Sequence, residues 1–136
     1  CLEPLVSAMR ARGRGQIALN ASIAGYGGLP RDPAYCASKS ALIVLAESLA
    51  TPFARDGLLM QVVCPGFVRT PLTDRNTTRM PFLMEVEEAA RRICDGFSGG
   101  AFEIAFPRRM AWLAKAINML PYRAYFAVTG KAAAKR

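Results

Sequence analysis

The run Gln16-Ile17-Ala18-Leu19-Asn20-Ala21 ends in Ser22, and thirteen residues after Ser22 begins Tyr35-Cys36-Ala37-Ser38-Lys39. The apolar run predicts a buried parallel strand with Ser22 at its C-terminal end. A loop rich in Gly and Pro, residues 25–33, leads to a helix predicted from Ala34 to Arg55. A second apolar run, residues 58–64, follows directly and predicts another strand that is covered on both faces. Strand, helix and strand in this order predict an α/β fold.

The rest of the chain continues this alternation of helices and strands. Hydrophobic periodicity predicts a helix in residues 1–12, another in residues 85–97 and a third strand in residues 101–106. Gly96 and Gly99-Gly100 are interpreted as a helix stop and turn. The residues predicted to face the core are Ala41, Leu42, Leu45, Leu49 and Phe53 in the long helix and Val86, Ala89, Ala90, Ile93 and Phe97 in the later one.

Tyr35 and Lys39 are four residues apart, so they lie one turn apart on the same face of the predicted helix. A phenol has a pKa near ~10 and is a poor base at neutral pH. A cation about 4 Å away stabilises a phenolate by about 4 kcal/mol at an effective dielectric constant near 20, which favours proton exchange. Ligands of open α/β sheets bind beyond the carboxyl ends of the strands, where Ser22 is expected. The three side chains predict a site for general acid/base catalysis.

Three segments in this order resemble the short-chain dehydrogenase/reductase family. They are Asn20-Ala21-Ser22-Ile23-Ala24-Gly25, Pro33-Ala34-Tyr35-Cys36-Ala37-Ser38-Lys39 and Val63-Cys64-Pro65-Gly66-Phe67-Val68-Arg69-Thr70. A Tyr-x-x-x-Lys spacing alone is common in helices, whereas the ordered set is specific. The resemblance extends from residue 1 to about residue 107. It implies the C-terminal half of a Rossmann-type, doubly wound parallel sheet, with about three strands and flanking helices.

The resemblance also implies an activity. We expect an oxidoreductase that interconverts an alcohol and a carbonyl of a small-molecule substrate with NADP or NAD. Tyr35 is expected to be the general acid/base, Lys39 to assist it and to hold the nicotinamide ribose, and Ser22 to orient the substrate oxygen. Residues 70–84 resemble a substrate loop. The residues expected to contact the cofactor are Tyr35, Lys39, Pro65, Gly66, Val68 and Thr70.

Parts of the family pattern are missing from this sequence. The chain has no initiator Met and no Gly-rich strand-to-helix turn of the G-x-G-x-x-G kind that binds dinucleotide phosphates. We therefore expect a truncated protein that is inactive alone, and the choice between NAD and NADP stays open. Asn20 and Ala21 depart from the family's Ser-rich approach to the catalytic serine, which leaves the substrate side less defined.

The net charge of +8 is concentrated at one end of the chain. Residues 1–107 contain 11 Lys/Arg and 10 Asp/Glu, whereas residues 108–136 contain seven cations and no acid. We expect a catalytic half over residues 1–107 and a basic, apolar helical tail over residues 108–136. Four widely spaced cysteines and the lack of histidine argue against a metal site or a disulfide framework, and they favour a cytoplasmic protein with reduced thiols.

The tail combines an apolar segment, residues 110–120, with an aromatic segment, residues 122–128, separated by Pro121. Neither segment reaches the ~20 residues that span a bilayer. A helix that caps the core or contacts another subunit is the favoured interpretation, and an interfacial helix on an anionic membrane is the alternative. Nucleic-acid binding is not expected, because the segment lacks any recognisable module for it.

A non-catalytic module that self-associates or binds a membrane surface is the alternative to an enzyme. Without an upstream strand, the first strand of this chain is expected to be an exposed sheet edge, which favours pairing with another chain. The helices before Ser22 and after Tyr35 resemble the family's oligomer interface. A homo-oligomer, in the simplest case a dimer, is therefore expected.

Overall fold

The computed structural model describes residues 2–74 and 80–134. The helices are α1 (Leu2–Ala11), α2 (Pro33–Arg55), α3 (Pro71–Asp74), α4 (Val86–Gly99), α5 (Arg108–Asn118) and α6 (Tyr122–Ala134), and the strands are β1 (Gly15–Asn20), β2 (Leu58–Pro65) and β3 (Glu103–Phe106). A 3-10 turn, Ile23–Tyr26, lies between β1 and α2. Cys1, residues 75–79 of the predicted substrate loop and the last two residues of the predicted tail lie outside the described residues.

The three strands form one parallel sheet in the order β1-β2-β3. Asn20 pairs with Val63, and Pro65 pairs with Phe106, so the carboxyl ends of all three strands meet at one edge. Each connection between neighbouring strands runs through helical structure, as parallel pairing requires. The predicted α/β fold, a parallel sheet of three strands with flanking helices, is confirmed. Within the described residues, β1 is an edge strand.

Different helices cover the two faces of the sheet. The larger apolar cluster joins α1, α2 and α5 to one face, and the smaller cluster joins α4 to the other. Fully burying a Val, Leu, Ile, Phe or Met side chain contributes about 1.5–3 kcal/mol to folding. Large members of the first cluster are Val6, Ile17, Ile43, Phe53, Met60 and Val62, and the second contains Val63, Met84, Ala89, Ile104 and Phe106.

Gln61 interrupts the apolar run of β2 and is fully buried. Its Nε2 donates to the carbonyl oxygens of Gly96 (3.2 Å) and Ala101 (2.7 Å). Its Oε1 accepts a hydrogen bond from Gln16 Nε2 at 2.5 Å. Because both ends of the amide have partners, burial of Gln61 is tolerated, and the side chain ties the end of α4 to the sheet.

The core-facing side of α2 differs from the predicted one. Phe53 is buried and Leu42 and Leu49 pack against the core as expected, but Ala41 and Leu45 are exposed. The other buried positions are Cys36, Ile43 and Ala46. Apolar residues occupy most of the circumference of α2, so periodicity alone does not select a face. The packing of α2 against the 3-10 turn and β2 selects it.

The predicted stripe of α4 is also only partly correct. Ala89 is buried and Ile93 packs against the smaller cluster, whereas Val86, Ala90 and Phe97 are exposed. The reason is that α4 packs mainly on β3, which has only four residues. A small part of the α4 surface is enough to cover so short a strand.

Gly96 was predicted to stop a helix, and this is wrong, because it lies inside α4. A Cβ at this position would lie 2.6 Å from Ile104 Cγ2, so glycine permits the close approach of α4 to β3. The helix ends at Gly99 instead, and the next residue, Gly100, has a φ of +67°, the left-handed conformation that glycine adopts easily.

Residues 108–134 pack onto the rest of the chain by one side. Ala111 of α5 and both Tyr125 and Thr129 of α6 are buried. Pro121 separates the two helices, as predicted. In the part of the chain that the structure describes, no helix has both the length and the apolar character needed to cross a lipid bilayer.

Candidate active site

Ser22 lies just beyond the carboxyl end of β1, where it caps the 3-10 turn. Its Oγ accepts a hydrogen bond from the backbone N–H of Ala24 (3.2 Å) and donates to the carbonyl oxygen of Pro65 (3.4 Å). The side chain is buried, with 8% of its surface exposed. A donor–acceptor distance of 3.4 Å is long for a hydroxyl, so the hydrogen bond to Pro65 is weak. The Ser22 hydroxyl can therefore donate its hydrogen bond to a better acceptor instead.

Lys39 connects α2 to the end of β1. Its Nζ donates to the carbonyl oxygen of Asn20 at 2.9 Å. The backbone of Lys39 also packs against Gly25, where a Cβ would lie 2.8 Å from the Lys39 carbonyl carbon. Glycine at position 25 therefore lets the 3-10 turn approach α2 closely. These contacts bring the Ser22 turn and the Lys39 turn of α2 together.

Tyr35 lies in the first turn of α2 and is accessible, with 44% of its surface exposed. Lys39 Nζ is 5.6 Å from the centroid of the Tyr35 ring. The N-terminal end of a helix carries a partial positive charge, which adds to the charge of Lys39. Both features stabilise negative charge at this end of α2, and a ligand can reach the phenol.

The predicted cofactor segment, residues 65–70, leaves the sheet beside Ser22. The backbone N–H of Gly66 donates to the carbonyl oxygen of Phe106 at 2.7 Å. A Cβ on Gly66 would lie 3.0 Å from Pro107 Cδ and 3.3 Å from Met110 Sδ, so this backbone passes close to the start of α5. A side chain at position 66 would require its neighbours to shift slightly, so glycine favours close packing where β2, β3 and α5 converge.

Val68 and Thr70 continue from Gly66 away from the strand ends. Val68 forms a parallel bridge with Met84, and its carbonyl oxygen accepts a hydrogen bond from Thr73 Oγ1 at 2.8 Å. Thr70 Oγ1 accepts a hydrogen bond from the Thr73 backbone N–H at 3.3 Å, and the Thr70 N–H donates to Thr73 Oγ1 at 2.8 Å. The hydroxyl of Thr70 therefore helps to start α3.

A second tyrosine, Tyr26, lies close to this region and was not singled out from the sequence. Its hydroxyl donates to Glu103 Oε1 at 2.7 Å, and Lys115 pairs with Glu103 Oε2 and lies 5.0 Å from the Tyr26 ring centroid. Burial, followed by the hydrogen bond to Glu103, raises the pKa of Tyr26 far above its ordinary value. Burial also raises the pKa of the neighbouring Cys64 thiol to about 11. Tyr26 is therefore a neutral structural donor.

Sequence comparison identifies the class of protein to which this site belongs. The profile of the family described as short chain dehydrogenase matches residues 1–81, which is more than half of the chain. The chain belongs to the short-chain dehydrogenase family, and the resemblance inferred from its three segments is confirmed.

Individual relatives are longer than this chain. A Myxococcus xanthus protein named "Uncharacterized oxidoreductase" is 35% identical over 120 residues, which cover 88% of this chain and 47% of the relative. Human 17-beta-hydroxysteroid dehydrogenase 13 is 29% identical over 125 residues, covering 90% of this chain and 42% of the relative. The chain thus spans less than half the length of these curated relatives.

Solved structures show the same fold. A short chain dehydrogenase from Burkholderia cenocepacia, determined in complex with NADP, superposes with a TM-score of 0.77. The match covers 94% of this chain and 52% of that structure at 24% sequence identity. At this level of identity the likeness establishes the fold, namely half of the Rossmann-type domain of that protein.

Proposed function

We propose that this chain forms the catalytic half of an NAD(P)-dependent oxidoreductase that interconverts an alcohol and a carbonyl. The observation that carries the proposal is the position of Lys39, whose ammonium lies beside the exposed Tyr35 and holds the end of β1 through Asn20. Membership of the short-chain dehydrogenase family supports the same chemistry.

Tyr35 is the proposed general acid/base. In the direction of reduction its hydroxyl gives a proton to the substrate's carbonyl oxygen, and in the direction of oxidation it takes the proton of the alcohol. The positive charge of Lys39 stabilises the phenolate that each turnover produces. Tyr26 is unsuited to this role, because its hydroxyl donates to Glu103 and its pKa is raised.

Ser22 is the proposed donor to the substrate oxygen. Its hydroxyl now donates to Pro65 over a long 3.4 Å, and a substrate oxygen with developing negative charge is a stronger acceptor than a neutral carbonyl. Rotation of the hydroxyl toward that oxygen keeps the Ala24 N–H as a donor to Ser22 Oγ and places a preorganised dipole at the reacting centre.

The nicotinamide end of NADP or NAD fits the residues that are present. The ammonium of Lys39 has three donors, and the carbonyl oxygen of Asn20 uses one of them, which leaves donors for ribose hydroxyls. When bound, the cofactor supplies or accepts the hydride. The NADP complex of the Burkholderia protein supports a nicotinamide dinucleotide as the cofactor. The proposed contacts are Tyr35, Lys39, Pro65, Gly66, Val68 and Thr70.

Activity is proposed to need the rest of the family's domain, because this chain carries no Gly-rich phosphate-binding turn. Fluorescence titration of the isolated 136-residue chain should therefore show no binding of NADPH or NADH at micromolar concentration. Micromolar binding would contradict this part of the proposal.

A cytoplasmic location is also proposed. Buried Cys36 and Cys64, both free thiols, agree with it.

The function is tested with the full gene product that contains this chain. Purified protein is incubated with NADP or NAD and a panel of secondary alcohols, and with NADPH or NADH and the matching ketones. We expect formation or loss of reduced nicotinamide with at least one pair, and loss of that turnover in Ser22→Ala by about 100-fold. Failure of every pair, with bound cofactor verified by titration, would contradict the proposal.

Membrane contact through α5 and α6 is a second proposed property. Large apolar side chains are exposed on α5, at the α5–α6 junction and on α6, and residues 108–136 contain no acid to oppose an anionic surface. A basic surface with exposed aromatic residues is typical of interfacial helices. The exposed apolar residues proposed for this contact are Trp112, Leu113, Met119, Leu120 and Phe126.

Vesicle sedimentation tests this contact. The full gene product should bind vesicles containing phosphatidylserine and bind neutral phosphatidylcholine vesicles less, and salt should weaken the binding. The double substitution Trp112→Gln/Met119→Gln should reduce it, while Val86→Gln, at an exposed position of α4, should not. Absence of binding, or equal binding by both variants, would leave α5 and α6 as packing elements only.

Self-association is proposed to use α1 and α2. Both helices expose large apolar residues, among them Leu5, Val44 and Leu45. Light scattering should give a homo-oligomer, most simply a dimer, which Val44→Glu should weaken. A monomer at all concentrations would contradict the proposed interface.

A further inference from the structure

Residues 27–32 connect the 3-10 turn to α2, and so they connect Ser22 to Tyr35. One end of this segment is fixed by the hydrogen bond from Tyr26 to Glu103. Regular structure stops at Tyr26 and resumes at Pro33. Gly27 and Gly28 give this part of the backbone more freedom than other residues would. The Asp32 N–H donates to the carbonyl oxygen of Leu29 at 3.3 Å, so contacts from elsewhere are needed above all to hold Gly27 and Gly28 in one conformation.

Helix α6 supplies such a contact through Tyr125. The Tyr125 hydroxyl donates to the carbonyl oxygen of Gly28 at 2.7 Å, and the side chain is only 8% exposed. A Cβ on Gly27 would lie 2.9 Å from the Tyr125 hydroxyl and 3.1 Å from Asn118 Oδ1. Glycine at position 27 therefore allows Tyr125 to approach the segment from the side.

The position of Tyr125 is set by its own helix. The buried Thr129 donates its hydroxyl to the carbonyl oxygen of Tyr125 at 2.9 Å, and the Tyr125 N–H donates to the carbonyl oxygen of Pro121 at 3.0 Å. The Tyr125 ring also packs edge-on against Phe126, with a centroid distance of 5.6 Å. α6 therefore presents the Tyr125 hydroxyl to the segment in a defined place.

We propose that Tyr125 is a positioning residue of the oxidoreductase site. Its hydroxyl holds residues 27–32 in place and thereby sets the separation between Ser22 and Tyr35. This inference rests on the proposed function. Under this proposal α6 acts on the candidate site through the hydrogen bond from Tyr125 to the carbonyl oxygen of Gly28.

Tyr125→Phe in the full gene product removes the hydroxyl and keeps the ring. We expect kcat to fall about tenfold, as for the loss of one well-placed hydrogen bond, with little change in the KM for the cofactor. Tyr122→Phe is the matched control, because Tyr122 lies three residues earlier on the same helix and is 77% exposed. Its kcat should stay within about twofold of wild type.

Two further measurements separate positioning from a general loss of stability. In hydrogen exchange, the amides of residues 27–32 should exchange faster in Tyr125→Phe than in Tyr122→Phe, while those of β2 remain equally protected in both. In a double-substitution cycle, Tyr125→Phe should cost less in a Ser22→Ala background, because the group that it positions is gone.

Each outcome decides the inference. Faster exchange confined to residues 27–32, together with lower kcat and a non-additive cycle, would support it. Unchanged exchange in these residues, unchanged kcat or a strictly additive cycle would overturn it. If the wild-type protein has no turnover on any alcohol or ketone, the proposed function and the catalytic part of this inference both fail. Hydrogen exchange would then still show whether Tyr125 holds the segment.

Discussion

Tyr35 and Tyr26 each have a lysine beside the ring, but the lysines have different partners. Lys39 Nζ lies 5.6 Å from the Tyr35 ring centroid, and Lys115 Nζ lies 5.0 Å from that of Tyr26. Lys39 donates to a neutral backbone carbonyl, whereas Lys115 pairs with the carboxylate of Glu103, which also accepts the Tyr26 hydrogen bond. Tyr35 is exposed to solvent, whereas Tyr26 is packed against the larger apolar cluster.

This difference shows that a lysine near a tyrosine does not by itself create a proton-exchange site. Burial, followed by the hydrogen bond to Glu103, raises the pKa of Tyr26, and Glu103 also offsets the charge of Lys115. The charge of Lys39 has no carboxylate partner among the described residues, and it can stabilise a phenolate. Tyr26 and Lys115 are suited to holding β3 and α5 together through Glu103, and Tyr35 and Lys39 are suited to the proposed proton exchange.

The largest expected difference between the two pairs is in turnover. Lys39→Met in the full gene product should lower kcat by about 100-fold or more, because the phenolate at Tyr35 loses its stabilising charge. Lys115→Met should leave kcat within about threefold, since a partly exposed ion pair contributes little. Steady-state kinetics at saturating cofactor measure both. Equal losses in the two variants would remove the distinction between the pairs.

A smaller effect is expected on folding. Glu103→Ala leaves Tyr26 and Lys115 without their shared acceptor, so the free energy of unfolding should fall by about 2 kcal/mol. Glu87→Ala is the control, because Glu87 is an exposed acid in the first turn of α4 and should change stability by less than about 0.5 kcal/mol. Urea denaturation of the full gene product gives both values. A loss as small as that of the control would show that Glu103 is not a structural centre.

The smallest expected effect is a dependence of stability on alkaline pH. The pKa values of Tyr26 and Cys64 are raised on folding, that of Cys64 from 9.0 to about 11. The folded protein therefore binds these protons more tightly than the unfolded chain. The contribution of Cys64 is complete below pH 9 and is lost as the pH rises toward 11, whereas loss of the Tyr26 contribution begins only above about pH 10.

Thermal melts between pH 8 and about pH 11 test this dependence. The Tm of the wild-type protein should fall with pH in this range, and the fall should be shallower in Cys64→Ala. Cys94→Ala is the control, since this thiol is exposed. The same slope in all three proteins would show that burial of the Cys64 thiol does not contribute.

Local sequence patterns were sufficient for the elements that carry the site. The order of β1, α2 and β2 follows from apolar runs and turn residues, and Tyr35 and Lys39 share a helix face because of their spacing alone. Ser22 could be placed at a strand end for the same reason. These features depend on residues that are close in sequence, so neighbouring residues are enough to predict them.

Contacts between distant residues could not be predicted in this way. Lys39 bonds to a backbone carbonyl 19 residues away, Tyr26 to a carboxylate 77 residues away and Tyr125 to a carbonyl 97 residues away. Which face of α2 is buried also depends on the packing of the sheet. Such contacts arise from tertiary structure, and no local spacing indicates them.

In the proposed reaction Tyr35, and not Tyr26, exchanges the proton with the substrate. The most direct test compares the turnover of Tyr35→Phe and Tyr26→Phe in the full gene product, with cofactor affinity measured for both. Tyr35→Phe should lose about 1,000-fold or more in kcat with nearly unchanged cofactor affinity, and Tyr26→Phe should lose less than about tenfold. Near-normal turnover of Tyr35→Phe, or an equal loss in Tyr26→Phe, would contradict the claim.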